Sequence, residues 1–267
     1  MPAGEAAELV RPAPEAVVRP HAWLRAHLWL FPPSCRQCGR LLAPVSRAAG
    51  ATVPPAPTHP FLCTACHAAL PWWPDAPGEA GSSAGGDAGA IAGVDRLWAA
   101  CRYAEPMDGW IQRLKYERRD GLVRLLAAVL DAAPAGRVPL ADAPLLVPVP
   151  LHPWRLWRRG FNQCLLVAHA WLRCAAGETG ARLAPDVLVR HRYTRPQVYM
   201  SGAERRTNVA DAFSLHRRLA GREAPLRGQR VLLVDDVTTT GATLSACAQV
   251  LRTAGAERVE ALVLARV

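Results

Sequence analysis

The sequence predicts an α/β protein, a parallel sheet flanked by helices with a small cysteine-bearing module ahead of it. Three observations carry this. Two apolar runs, Leu145 to Pro150 and Val231 to Val234, each lead into a polar loop and then a helical pattern. Neither run alternates polar with apolar residues, which marks strands covered on both faces. Two Cys-x-x-Cys pairs, Cys35/Cys38 and Cys63/Cys66, stand well before both runs.

Residues 1–20 are rich in Ala, Pro and Glu and read as disordered. His21 to Phe31 is aromatic and apolar but contains Arg25 and His27, an amphipathic helix rather than a membrane span. Residues 1–30 therefore read as a tail with a helix. Residues 31–73 read as a separate module, because two Cys-x-x-Cys knuckles can supply four thiolates to one structural zinc ion. The gap of 24 residues between Cys38 and Cys63 exceeds the zinc-ribbon spacing of about 15–20. Its Ala/Pro-rich excess can loop out at little cost. His59 and His67 are reserve ligands. Disulfides and a redox Cys-x-x-Cys are the competing readings. No cationic, apolar leader opens the chain, which favours a cytoplasmic location and reduced thiols. Cys101, Cys164, Cys174 and Cys247 are scattered, and the residue type suits small core positions.

Residues 74–93 are rich in Gly, Ala, Ser and Pro and read as a flexible linker, leaving 94–267 as the main domain. Arg96 to Tyr103 reads as extended. Trp110, Ile111 and Leu114 mark one helix, and Leu122, Leu125, Leu126 and Val129 a second. After the strand at 145–150, His152 to Gly160 reads as a loop carrying Arg155, Arg158 and Arg159. These side chains suit a pyrophosphate, though a solvated basic turn reads equally well from the residues. Phe161, Cys164, Leu165, Ala168, Trp171, Leu172 and Ala175 then share one helical face. Residues 190–213 are too polar for core, carry a Ser201/Glu204 capping box, and read as a lid.

The string from Val231 to Thr243 carries the most chemistry. Leu244, Cys247, Ala248 and Leu251 continue it as a helix, Gly255 ends that helix, and Val259 to Leu264 is the next strand, completing a β-α-β unit. Thr238, Thr239, Thr240, Gly241, Ala242 and Thr243 form a loop at a helix N-terminus, where backbone N–H groups and the helix dipole suit a phosphate. Asp235 and Asp236 cannot bind phosphate but can accept ribose hydroxyls or face a metal through water. No Gly-Lys-Ser/Thr follows, so this is not a Walker loop. The string resembles the phosphoribosyl pyrophosphate (PRPP) motif of type I phosphoribosyltransferases.

Together with Arg159-Gly160-Phe161-Asn162-Gln163, Thr194 with Gln197, Glu204-Arg205 with Asn208, and Phe213, the string resembles the ComF family. These are bacterial phosphoribosyltransferase-like proteins linked to DNA uptake in competence. The resemblance implies a phosphoribosyltransferase-type fold with an N-terminal zinc module, and a PRPP or ribose 5-phosphate ligand held with Mg²⁺. It also implies a lid contributing Thr194, Gln197, Arg205 and Asn208, and, in some members, handling of single-stranded DNA beside a helicase-like partner. No residue stands out as a general base, and the acceptor is not legible.

Composition bounds the rest. The chain has 267 residues, 51% of them hydrophobic, enough for a sizeable core. No apolar run reaches the roughly 18 residues of a membrane span. The formal charge is +10 and Lys115 is the sole lysine, so the positive charge is arginine. Trp154-Arg155-Leu156-Trp157-Arg158-Arg159 interleaves indoles with guanidiniums, a composition suited to stacking on single-stranded nucleic acid. An arginine-rich codon bias gives the same charge with no such partner, and the enzyme and binding-protein readings both stay open.

Overall fold

The computed structural model describes residues 33–42, 59–74, 91–117, 121–133, 140, 144–174, 180–192 and 211–267. Its centre is a five-stranded sheet of β1 (Arg96–Arg102), β2 (Leu145–Pro148), β3 (Arg182–Leu183), β6 (Arg230–Thr238) and β7 (Arg258–Arg266). The strand order is β1-β7-β6-β2-β3, with every pair parallel. β4 (Leu188–Arg190) and β5 (Phe213–Leu215) form a separate antiparallel pair. The helices are α1 (Thr64–Ala68), α2 (Met107–Glu117), α3 (Gly121–Ala132), α4 (Pro153–Arg159), α5 (Gln163–Cys174) and α6 (Ala242–Thr253). No helix among the described residues is long and apolar enough to cross a membrane.

Strand periodicity divides β6 between two cores. Leu232 packs with Trp110, Ile111, Leu125, Leu126, Val167 and Trp171, from α2, α3 and α5. Val231 and Leu233 face the other way, onto Leu244, Cys247, Ala248 and Leu251 of α6 and Phe213 of β5. Both faces are therefore dry, which is why the run has no polar alternation. β6 is longer than its apolar stretch. It continues through Asp235 and Asp236 to Thr238, so the two acids lie on the strand and not in the loop after it.

The segment from His152 to Gly160, read from sequence as a loop, is mostly helix. His152 caps α4 by accepting the Trp154 N–H, Pro153 opens its first turn, and Gly160 closes it in the left-handed conformation at φ 85°. Proline at the start and glycine past the end are standard helix punctuation. The missing signal is an apolar face, because none of the residues in α4 is buried.

The cysteine-bearing region joins the larger core. Cys35, Leu42, Leu62 and Leu70 belong to the same buried cluster as Leu125 and Leu130. Trp72 bridges antiparallel to Cys101, the Trp73 N–H donates to the Ala100 carbonyl, and the Arg102 N–H donates to that of Pro71. Residues 71–73 thereby cover the outer edge of β1, where unpaired backbone groups would otherwise invite another strand.

Candidate functional site

From the neighbouring strands β2 and β6 the chain departs in opposite directions, β2 toward β3 and β6 toward β7. The carboxyl ends of such a pair open a crevice, the usual ligand position in open α/β sheets. A cavity of about 650 Å³ lies there. Its lining includes Asp235, Asp236 and all of Thr238 to Thr243 from the end of β6, and Arg155, Arg158 and Arg159 from α4. Two sets of residues that are 80 positions apart in sequence thus face one space.

Asp236 is 6% exposed and heavily partnered. Its Oδ2 accepts from Gln163 Nε2 at 2.6 Å and lies 2.9 Å from Lys115 Nζ. Arg159 donates to Gln163 Oε1, extending the chain of contacts to α4. Asp235 points differently, since successive strand residues alternate faces. Its Oδ1 accepts the Asp236 N–H at 2.9 Å and the Cys164 thiol at 3.4 Å. Burial first, and the neighbouring Asp236 carboxylate second, push the Asp235 carboxyl up to about 7. Burial lowers the Lys115 ammonium, but the two carboxylates outweigh it and the net direction is upward.

The segment Arg159 to Gln163 builds this arrangement. Gly160 ends α4 and Phe161 packs against the core. Asn162 Oδ1 accepts the Cys164 N–H, while its Nδ2 donates to the Val149 carbonyl at the end of β2. Asn162 so starts α5 at a fixed distance from β2, which puts Gln163 onto Asp236.

On the other side of the crevice, Gly241 caps α6 at φ 73° with no side-chain hydrogen bond. The first turn of α6 therefore lacks the internal acceptor that Ser or Asp would supply, and its N–H groups suit an anion. Only glycine fits here: a Cβ at 241 would lie 2.5 Å from Ile91 Cγ1 and 2.6 Å from Ile91 Cδ1. Thr238, at the end of β6, is buried and its carbonyl accepts the Val267 N–H.

The four cysteine sulfurs of Cys35, Cys38, Cys63 and Cys66 all lie within 4.8 Å of one another, with Cys38 and Cys63 3.8 Å apart. A tetrahedron with Zn–S bonds of about 2.3 Å has edges of about 3.8 Å. The set can hold a metal such as zinc. Burial opposes ionisation of Cys35, yet N–H donors of Cys38, Cys63 and Gln37 outweigh it and bring the thiol down to about 6. Burial pushes Cys66 up to about 12. His59 and His67 are outside this sulfur set; their rings pack 5.3 Å apart, and His59 Nδ1 accepts the Phe61 N–H.

Several residues at the cavity were not singled out by sequence. Lys115, Gln112, Tyr103 and Tyr116 come from α2 and the turn before it, and Arg190 comes from the end of β4. Arg190 is nearly buried, with its guanidinium 5.2 Å from the Phe213 ring. Cys164, read as a core residue, is buried but sits within 4.8 Å of the Asp235 and Asp236 oxygens, at the site itself. Thr194, Gln197, Arg205 and Asn208 lie outside the described residues.

The raised pKa of Asp235 has a direct consequence. Unfolded, this carboxyl ionises near pH 4. The folded state holds its proton more tightly, so the stability present at low pH is lost as pH rises from about 4 through about 7. Asp235→Asn removes that loss. Thermal unfolding of variant and wild type should show a midpoint advantage for the variant that grows from about pH 5 to about pH 8. A difference independent of pH contradicts the assignment.

Comparison with known proteins agrees with this geometry. The phosphoribosyl transferase domain family matches residues 189–267, which contain β6, the threonine loop and α6. "Competence protein F" of Haemophilus influenzae is 36% identical over 180 residues, 64% of this chain and 73% of that protein. "DNA utilization protein YhgH" of Escherichia coli K12 is 35% identical over 179 residues, 64% of this chain and 72% of that protein. Its counterpart in Salmonella typhi is 36% identical over 180 residues, with the same coverage. With a parallel sheet, the acid-threonine string at its switch point and these relatives, the chain belongs to the ComF family of phosphoribosyltransferase-like proteins.

Proposed function

We propose that this protein binds PRPP, or a related ribose 5-phosphate ligand, together with Mg²⁺, in a cytoplasmic role linked to DNA uptake. The observation that carries the reading is the single cavity shared by the acid pair, the Thr238–Thr243 loop and the α4 arginines. The 5-phosphate meets the N–H groups at the start of α6. Asp235 and Asp236 accept the ribose hydroxyls, and Arg155, Arg158 and Arg159 neutralise the pyrophosphate. Thr194, Gln197, Arg205 and Asn208 are assigned, from sequence alone, as contacts closing over the ligand.

The donor set fits Mg²⁺ as part of the ligand complex. Mg²⁺ prefers oxygen and is commonly held by one or two carboxylates plus substrate phosphates. Bound with PRPP, it would screen the pyrophosphate charge and polarise the departing oxygens. Isothermal calorimetry at millimolar Mg²⁺ should detect PRPP binding, and Asp236→Asn should weaken it about tenfold, the value of one charge-assisted hydrogen bond. No heat with the wild type removes the reading. Whether the bound group is transferred is decided by screening PRPP turnover against nucleobases and amines.

The four cysteines are proposed to hold one structural zinc. The purified protein should carry about one zinc per chain, and Cys63→Ser should lose it while melting at lower temperature. A metal-free, equally stable wild type would falsify the assignment.

A second reading is favoured by α4. Trp157 is 80% exposed and Trp154 45%, on a helix with three arginines. Planar indoles beside guanidiniums suit stacked bases and phosphates, so the protein would bind single-stranded DNA, with a helicase-like protein delivering the strand. Anisotropy of a labelled oligonucleotide should show affinity that falls steeply with salt and drops in Trp157→Ala. Binding indifferent to both salt and Trp157 counts against it.

A further inference from the structure

Lys115 is the sole lysine among 32 Lys and Arg residues. At every other basic position the chain uses arginine, yet at the acid pair it uses the compact ammonium. Lys115 sits near the end of α2, lines the cavity, and pairs with Asp236 at 2.9 Å, the two side chains being 18% and 9% exposed.

Helix docking does not account for this pair. Met107, Trp110, Ile111 and Leu114 are all buried and already hold α2 against the core. A buried ion pair adds little to stability over an apolar contact of the same size. Nor does it suit a permanent bridge. Asp236 Oδ2 receives both Lys115 and Gln163, so a ribose hydroxyl arriving at that oxygen competes with both donors. Of the two, Lys115 is the donor better able to move. Gln163 is held from behind by Arg159 and by its place at the start of α5, whereas Lys115 is on a flexible four-carbon stem. An ammonium has three donors and can turn between oxygens, where a planar guanidinium fork would stay on the carboxylate.

We propose that Lys115 is a partner-exchanging cation of the ligand site. It holds Asp236 when the site is empty and turns to the pyrophosphate oxygens when ribose hydroxyls take its place on the carboxylate. The inference rests on the phosphoribosyl reading above and adds a residue that contacts the ligand directly. It also explains the lysine: the position requires a charge that moves.

A chain with one lysine gives one lysine signal. The full-length protein labelled with ¹³C at lysine Cε should show a single Lys resonance. Addition of PRPP with Mg²⁺ should shift it saturably, with the midpoint that calorimetry gives for the same ligand. Lys115→Met should weaken PRPP binding by about tenfold to a hundredfold, as expected for a charge-assisted hydrogen bond, and ribose 5-phosphate, which lacks the pyrophosphate, far less. Lys115→Arg should not restore PRPP affinity. PRPP binding that leaves the wild-type resonance in place overturns the inference, and this needs no variant to fold. Equal weakening of both ligands by Lys115→Met also overturns it, since that is the pattern of a residue that only orients Asp236. Absence of PRPP heat with the wild type overturns the phosphoribosyl reading, and this inference with it.

Discussion

β2 and β6 pair in parallel from Leu145–Val231 to Pro148–Val234, and from that ladder the chain departs in opposite directions. The ladder positions the rest of the site. It brings the carboxyl ends of two strands far apart in sequence to one level. α5 then packs on the face of the first core cluster, and α6 on the face of the second. Arginines delivered by one departure and a helix N-terminus delivered by the other face the same cavity. Two acids on the strand between them supply the opposite charge. A ligand with phosphates at both ends and hydroxyls in the middle matches that distribution.

The acid pair is expensive to keep. Two adjacent carboxylates at the end of a buried strand repel each other and lose hydration, and Asp235 responds by holding its proton far above the ordinary carboxylate range. Asp236 is paired with Lys115 and accepts from Gln163. Groups arranged in this way are poised for a partner, and a site that accepts ribose hydroxyls makes use of both carboxylates.

Much of this was legible from the residues, for identifiable reasons. Val231 to Val234 and Leu145 to Val149 are apolar without alternation, so their burial on both faces could be read directly. The string around Asp235 and Gly241 combines strand end, acids, hydroxyls and helix start in thirteen residues, and the part from Asp235 to Thr243 lines one cavity. α4 was missed because a helix that buries nothing has no apolar periodicity, although its proline and glycine punctuation was present. Lys115 was missed because it reaches the site from a helix whose pattern speaks only of core, and Arg190 because it opens a segment read as a lid while it in fact ends a strand. Cys164 has the sequence signature of a small core residue and is one, yet the same burial puts its thiol against Asp235. The cysteine spacing revealed the sulfur cluster but not that its flanking leucines would enter the main core.

The cysteine-bearing region and the sheet are thus packed as neighbours, and the exposed aromatic helix α4 lines the cavity at the strand ends. The central claim is that the acids and the threonine loop form a phosphoribosyl site. A crystal structure of the protein with PRPP and Mg²⁺ tests it most directly. The account predicts the 5-phosphate on the N–H groups of Thr239 to Thr243, with the ribose hydroxyls on Asp235 and Asp236. A ligand bound with its phosphate elsewhere, or with the ribose turned away from both carboxylates, would contradict it.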